Sequence, residues 1–246
     1  TATTEIYTLS YTTLFRSSDI SSATLLYGLL ESVVICRQKE LVQNPEKIQV
    51  LMKLVFSDRI AIIKQDPDLI QSVLSLFATV LEKKPVLLVQ SPVFTDALLF
   101  SLEVLGAKEL VVIKAALKFW LTLLSLKRGT AQDQHITRNL LSDTPFGQHL
   151  VVSLFSSFLS APRSHLEYYY QVFRNLITKY LPLAKVWITT AFTLPQVVDG
   201  LKINGKLIEF FINKLMMTRG QRTANDILKK FWLEANGMVD YNTRAI

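Results

Sequence analysis

Two glycines and a lysine come nearest to a recognisable chemistry. Gly200, Gly205 and Lys206 have the spacing of a phosphate-cradling loop up to the lysine, but Leu207 stands where a serine or threonine hydroxyl would hold magnesium. The preceding TLPQVVD is a poor buried strand, so the segment reads as a loop leading into a helix. Histidines at 135, 149 and 165 lie far apart, and Cys36 is the single cysteine. With no HExxH or CxxC, a zinc site is not expected, and no metal or cofactor is assigned. No GxSxG elbow is present, and no pair of carboxylates is spaced for acid–base work. The expectation is a non-enzymatic chain.

Two aromatic groupings could serve nucleic acid. Tyr168, Tyr169 and Tyr170 would stack on bases only if they shared a face, yet successive residues of a helix point about 100° apart. Packing is the expected use. Lys229, Lys230, Phe231 and Trp232 mix charge with aromatics on a terminal amphipathic helix, where a polar outer face explains them. A net charge of +7 is spread along the chain without a basic run, and a solvated surface accounts for it.

These residues must be positioned by helices. Half of the chain is apolar, enough for a continuous core, but Lys114 and Lys118 interrupt the most apolar stretch, so no membrane insertion is expected. One cysteine leaves no internal disulfide, which fits a reducing compartment. The first residue is Thr1, consistent with a fragment or processed product, and no signal-peptide pattern opens the chain.

The organising stretch is Ser91 to Ser160. Ser91-Pro92 reads as an N-cap with proline at the first helical position, Gly106 as a stop, and Asp143-Thr144-Pro145 as a restart running to about Ser160. Between them Val112, Ala115, Ala116, Phe119, Trp120, Leu123 and Leu126 make one helical face. Upstream, Leu25, Leu26, Leu29, Leu30, Val33 and Val34 form a stripe, followed by starts at Asn44-Pro45 and Asp66-Pro67, the latter leading through Ile70, Val73, Leu74, Phe77 and Leu81. Downstream, Leu166, Tyr169, Tyr170, Phe173, Ile177 and Tyr180 repeat the pattern. A helix from Ala184 to Phe192, a loop from Pro195 to Asn204, and a final pair over Lys206–Met217 and Thr223–Ala235 follow, with Gly237 as the stop.

First helices of successive pairs thus open near Ser21, Asp66, Lys108, Ser164 and Lys206, at intervals of roughly 40 to 56 residues, the range of HEAT or armadillo repeats. The polar insert Lys127 to Thr144 is expected to be an exposed loop, with room for one short helix. Residues 1–20, rich in Thr, Tyr and Ser, belong to no repeat and are expected to be a poorly ordered leader. The fold class expected is all-α: an α-solenoid of about five HEAT-type hairpins over residues 21–246.

ELVVIKAALKFWLTLL, PFGQHLVVSLFSSFLSAPRSHLEYYYQVFRNLITKYLPLAKVWITTAF and the ending DILKKFWLEANG together resemble the carboxy-terminal HEAT repeats of the importin-beta (karyopherin) superfamily. The branch most similar holds transportin-SR, the importin-thirteen type and their fungal counterparts. The resemblance implies a right-handed superhelical receptor, shuttling between cytoplasm and nucleus, that carries protein cargo past nucleoporins under control of the GTPase Ran. The family's main Ran-binding arch lies in amino-terminal repeats outside this sequence, and its members are usually acidic where this chain is basic. In such receptors the second helices face the cargo. On this chain they are Pro45–Val55, Pro92–Leu105, Pro145–Ser160, Leu183–Phe192 and Thr223–Ala235, with Lys53, Asp96, Gln148, His149 and Lys185 as candidate contacts. Two other functions fit such an array: a scaffold subunit of the phosphatase-regulatory or coat type, and, less well, a nucleic-acid-binding array.

Overall fold

The computed structural model describes residues 20–37, 41, 43 and 45–238, and these residues hold helices and connecting turns with no strand. The all-α expectation is met. The chain divides into two compact units, residues 1–136 and 137–246. The expected leader falls almost wholly outside the described residues.

In the first unit, α1 (Ile20–Cys36), α2 (Pro45–Val55), the single turn α3 (Ile60–Ile63) and α4 (Pro67–Lys83) are followed by α5 (Val86–Val89), α6 (Phe94–Glu103), α7 (Leu110–Ser125) and α8 (Ala131–Ser142), within which the unit ends. Helix α4 is central and packs against both α1 and α7. Its start follows from sequence: Asp66 sits in extended geometry, its side chain accepts from the N–H groups of Asp68 and Leu69, and Pro67 occupies the first turn where no N–H is needed. The stripe Ile70, Val73, Leu74, Phe77 and Leu81 is buried, as is the whole apolar face read along α7. Phe56, fully buried after α2, sits edge-on to Phe77 at 4.9 Å and to Phe100 at 5.3 Å, which locks α2, α4 and α6 together. The Tyr27 hydroxyl donates to the carbonyl of Val55 at 2.6 Å and so satisfies one of the orphan acceptors at the end of α2.

The stripe of α1 differs from expectation. Ala23, Leu26, Tyr27, Leu30 and Val34 are buried, while Leu25 and Leu29 face solvent. A helix with adjacent leucines and valines offers several candidate faces, and the one that carries Tyr27, which reaches Val55, is buried. Ser91 and Pro92 also behave differently. Ser91 is buried, its Oγ accepts from the N–H of Val93, and α6 begins only at Phe94, because Ser91 is already used to close the turn after α5.

The second unit holds α9 (Phe146–Ser160), α10 (Leu166–Lys179), α11 (Leu181–Ala191), the single turn α12 (Pro195–Val198), α13 (Gly205–Met217) and α14 (Gln221–Ala235). Its core is aromatic. Phe155 lies 4.6 Å from Phe173 and 5.0 Å from Phe192, while Phe211 and Phe231 stack at 3.8 Å. Helix α11 packs against α9, α10 and α13, and α14 against α10 and α13. Pro182 does not delay α11 to Ala184; it lies in the first turn, where proline is tolerated. The expected loop from Pro195 contains the turn of α12. Gly237 ends α14 as read, with φ of +67°, and the N–H groups of Gly237 and Met238 return to the carbonyls of Glu234 and Leu233.

The polar insert is the largest departure. Residues 131–142 form a full helix, α8, opened by a reciprocal cap: Thr130 donates its N–H and hydroxyl to Asp133 Oδ2, and Thr130 Oγ1 accepts from the Asp133 N–H. Asp133 is 1 % exposed, and its other oxygen accepts from Gln90 Nε2 at 2.8 Å.

Candidate functional site

The five residues singled out as contacts divide between the two units. In the first, Lys53 is exposed in the last turn of α2, where a cation complements the helix dipole. Asp96 is exposed in the first turn of α6, and its Oδ2 accepts from Ser57 Oγ at 3.1 Å. In the second, His149 on α9 and Lys185 on α11 are exposed. Gln148 is not a free contact: it is half-buried, and its Nε2 donates to the backbone carbonyl of Trp187 at 3.1 Å, pinning α9 to α11.

The groups considered for other chemistry are accounted for locally. Asn204 Oδ1 accepts from the Leu207 N–H at 2.9 Å, so the glycine-lysine segment is the N-cap of α13. Tyr169 and Tyr170 are buried while Tyr168 is exposed, and Tyr169 shares a 2.8 Å hydrogen bond with Ser157. Two of the three are packing. Burial pushes the Tyr170 hydroxyl up to about 12, helped by the nearby carboxylates of Glu167 and Asp226 and opposed by Arg163. Burial likewise raises Tyr27 to about 12, with Arg59 pulling the other way. Phe231 and Trp232 are core, and Lys230 reaches Glu234 one turn on, at 4.0 Å. Among the described residues no group of three or more His, Cys, Asp or Glu side chains is placed to hold a metal, and no helix is long and apolar enough to cross a membrane.

One concave feature escaped the sequence reading. A cavity of about 600 Å³ opens in the second unit among the end of α10, the start of α11, the end of α13 and the start of α14. Ile177, Leu181, Leu215 and Met216 contribute apolar surface, and Arg174 and Arg219 are the charged residues lining it. Arg174 Nη1 donates to Gln221 Oε1, which holds that guanidinium against the first turn of α14. Gly220, the N-cap of α14, offers no side-chain acceptor to the helix amides. Arg174 lies within α10 and Arg219 in the connection between α13 and α14, and hydrophobic periodicity, which found the buried faces, carries no signal for where helix ends converge.

Compared with known proteins, the chain matches no protein-family model and no curated sequence.

Proposed function

We propose that this chain is a protein-binding module, the carboxy-terminal part of a karyopherin-type receptor whose HEAT-type hairpins stack as a right-handed α-solenoid. The observation that carries this reading is the place of α4. It lies between α1 and α7, each of them the opening helix of one of the sequence-read pairs. Side-by-side packing of equivalent helices is how repeat arrays bury faces that a single hairpin leaves open. In the second unit α9 packs against α11, both of them second helices of their pairs. The karyopherin assignment itself rests on the sequence resemblance. Lys53, Asp96, His149 and Lys185 then act as polar contacts for protein cargo, with nucleoporins and Ran as further partners and Ran engaged mainly through amino-terminal repeats outside this sequence.

The test uses the full-length receptor as bait with purified GTP-loaded or GDP-loaded Ran. Release of bound proteins by the GTP form alone supports Ran-gated transport between cytoplasm and nucleus. A constitutive partner indifferent to Ran replaces that reading with a scaffold subunit.

A further inference from the structure

We propose that the cavity between α10, α13 and the first turn of α14 binds a short acidic peptide segment anchored by an apolar side chain. The inference goes beyond cargo transport, because a scaffold would present the same pocket and binding there needs no Ran.

Size comes first. A cavity of about 600 Å³ lies in the range of organic-ligand sites and far exceeds the roughly 30 Å³ that one water occupies in the liquid. A pocket of that size has room for side chains. The walls come next. Ile177, Leu181, Leu215 and Met216 offer apolar surface, and Met217 at the mouth is 82 % exposed. Flexible, polarizable methionines suit an adaptable binding surface.

Charge then selects the partner. Arg174 and Arg219 line the pocket, and among the described residues no aspartate or glutamate does. Arg219 is exposed and forms no ion pair among the described residues. Arg174 is pre-oriented by Gln221, and the positive end of α14, with Gly220 as its cap, opens onto the same space. Guanidinium forks at the edge of an apolar floor match carboxylates flanking an apolar residue, since an arginine–carboxylate pair can be bidentate. Single-stranded nucleic acid would call for aromatic stacking platforms, and the lining includes none. A free inorganic anion would leave the apolar walls unused.

The experiment measures anisotropy of a fluorescein-labelled hexapeptide, Asp-Glu-Leu-Leu-Asp-Glu, on the full chain. Saturable binding is expected that weakens with added salt, at least about tenfold weaker for Arg219→Gln and for Met217→Glu, which puts a like charge at the mouth. Lys127→Gln, exposed in the first unit, should bind as the parent does. Both pocket variants replace exposed side chains, and circular dichroism checks that they fold. Peptides with lysine for the acidic residues, or serine for the leucines, should not bind. Overturning results are absence of saturable binding, equal binding of the lysine peptide, unchanged affinity in both pocket variants, or displacement by a single-stranded RNA oligonucleotide at lower concentration than unlabelled peptide.

Discussion

Gly147 lies against the Trp187 indole so closely that a methyl group on its Cα would overlap both that ring and the carbonyl oxygen of Leu141. The ring is a side chain and can shift, but the carbonyl belongs to backbone and cannot. Helix propensity alone favours alanine over glycine by about 1 kcal/mol. Overlap with a fixed group costs about 1–3 kcal/mol and sometimes more. The second wins here, because Gly147 and Trp187 are both buried. Gly147→Ala should therefore destabilise the protein by about 2 kcal/mol in urea unfolding followed by tryptophan fluorescence. Stabilisation instead would mean that α9 and α11 pack less closely than described.

Asp133 is expected to behave as a structural carboxylate. It is nearly inaccessible and accepts from Gln90 and from both donors of Thr130. Asp133→Ala removes half of a reciprocal cap together with the bond from Gln90, whose exposed amide can turn to water, at a cost of roughly 1–2 kcal/mol. Thr130→Ala, which leaves the Gln90 bond in place, should cost about 1 kcal/mol. Chemical denaturation of both variants checks the order of the two effects.

The buried faces of α4, α7 and α10 were legible because each carries one apolar stripe, and α4 has in addition a marked start at Asp66-Pro67. Where a helix is apolar on several sides the pattern stops discriminating, and in α1 the outward turn of Leu25 and Leu29 was not readable. Thr130 to Asp133 is itself a capping signature, but with few apolar residues behind it α8 looked like an insert. Gln148 shows the limit for the site. A polar residue on a helix facing a presumed partner is indistinguishable in sequence from one tied to a neighbouring carbonyl. The cavity at Arg174 and Arg219 was illegible for another reason: two helix pairs distant in sequence, α10–α11 and α13–α14, must converge before it exists.

Tyr27 gives a pH prediction with a definite sign. Burial raises its hydroxyl from 10.0 to about 12 in the folded state, so the folded protein holds this proton more tightly than the unfolded chain. The contribution to stability is fully present below pH 10 and is lost as pH rises towards 12. Its size is about 2–3 kcal/mol from the two-unit difference. Tyr27→Phe should lose the bond to Val55 near neutral pH, at about 1 kcal/mol, yet fall less steeply above pH 10 than the parent. Denaturant midpoints measured across that window provide the check. Tyr169, Tyr170 and Tyr180 are also raised by burial, so part of the alkaline loss should persist in the variant.

Neighbouring residues on α9 separate binding from folding. Gln148 spends its amide on Trp187, whereas His149 is exposed, as is Lys185 on α11. Gln148→Ala should cost about 1 kcal/mol in stability, the ordinary worth of such a bond. His149→Ala and Lys185→Glu should stay within about 0.5 kcal/mol of the parent, because exposed side chains away from caps and cores rarely count for more. If these helices face a protein partner, the same two exposed variants will weaken its capture, and Lys185→Glu will act mainly on the association rate in a salt-dependent way. Surface plasmon resonance at two salt concentrations, run beside urea unfolding, distinguishes the cases. A partner whose kinetics ignore both variants binds elsewhere on the chain, and His149 and Lys185 are then solvated surface.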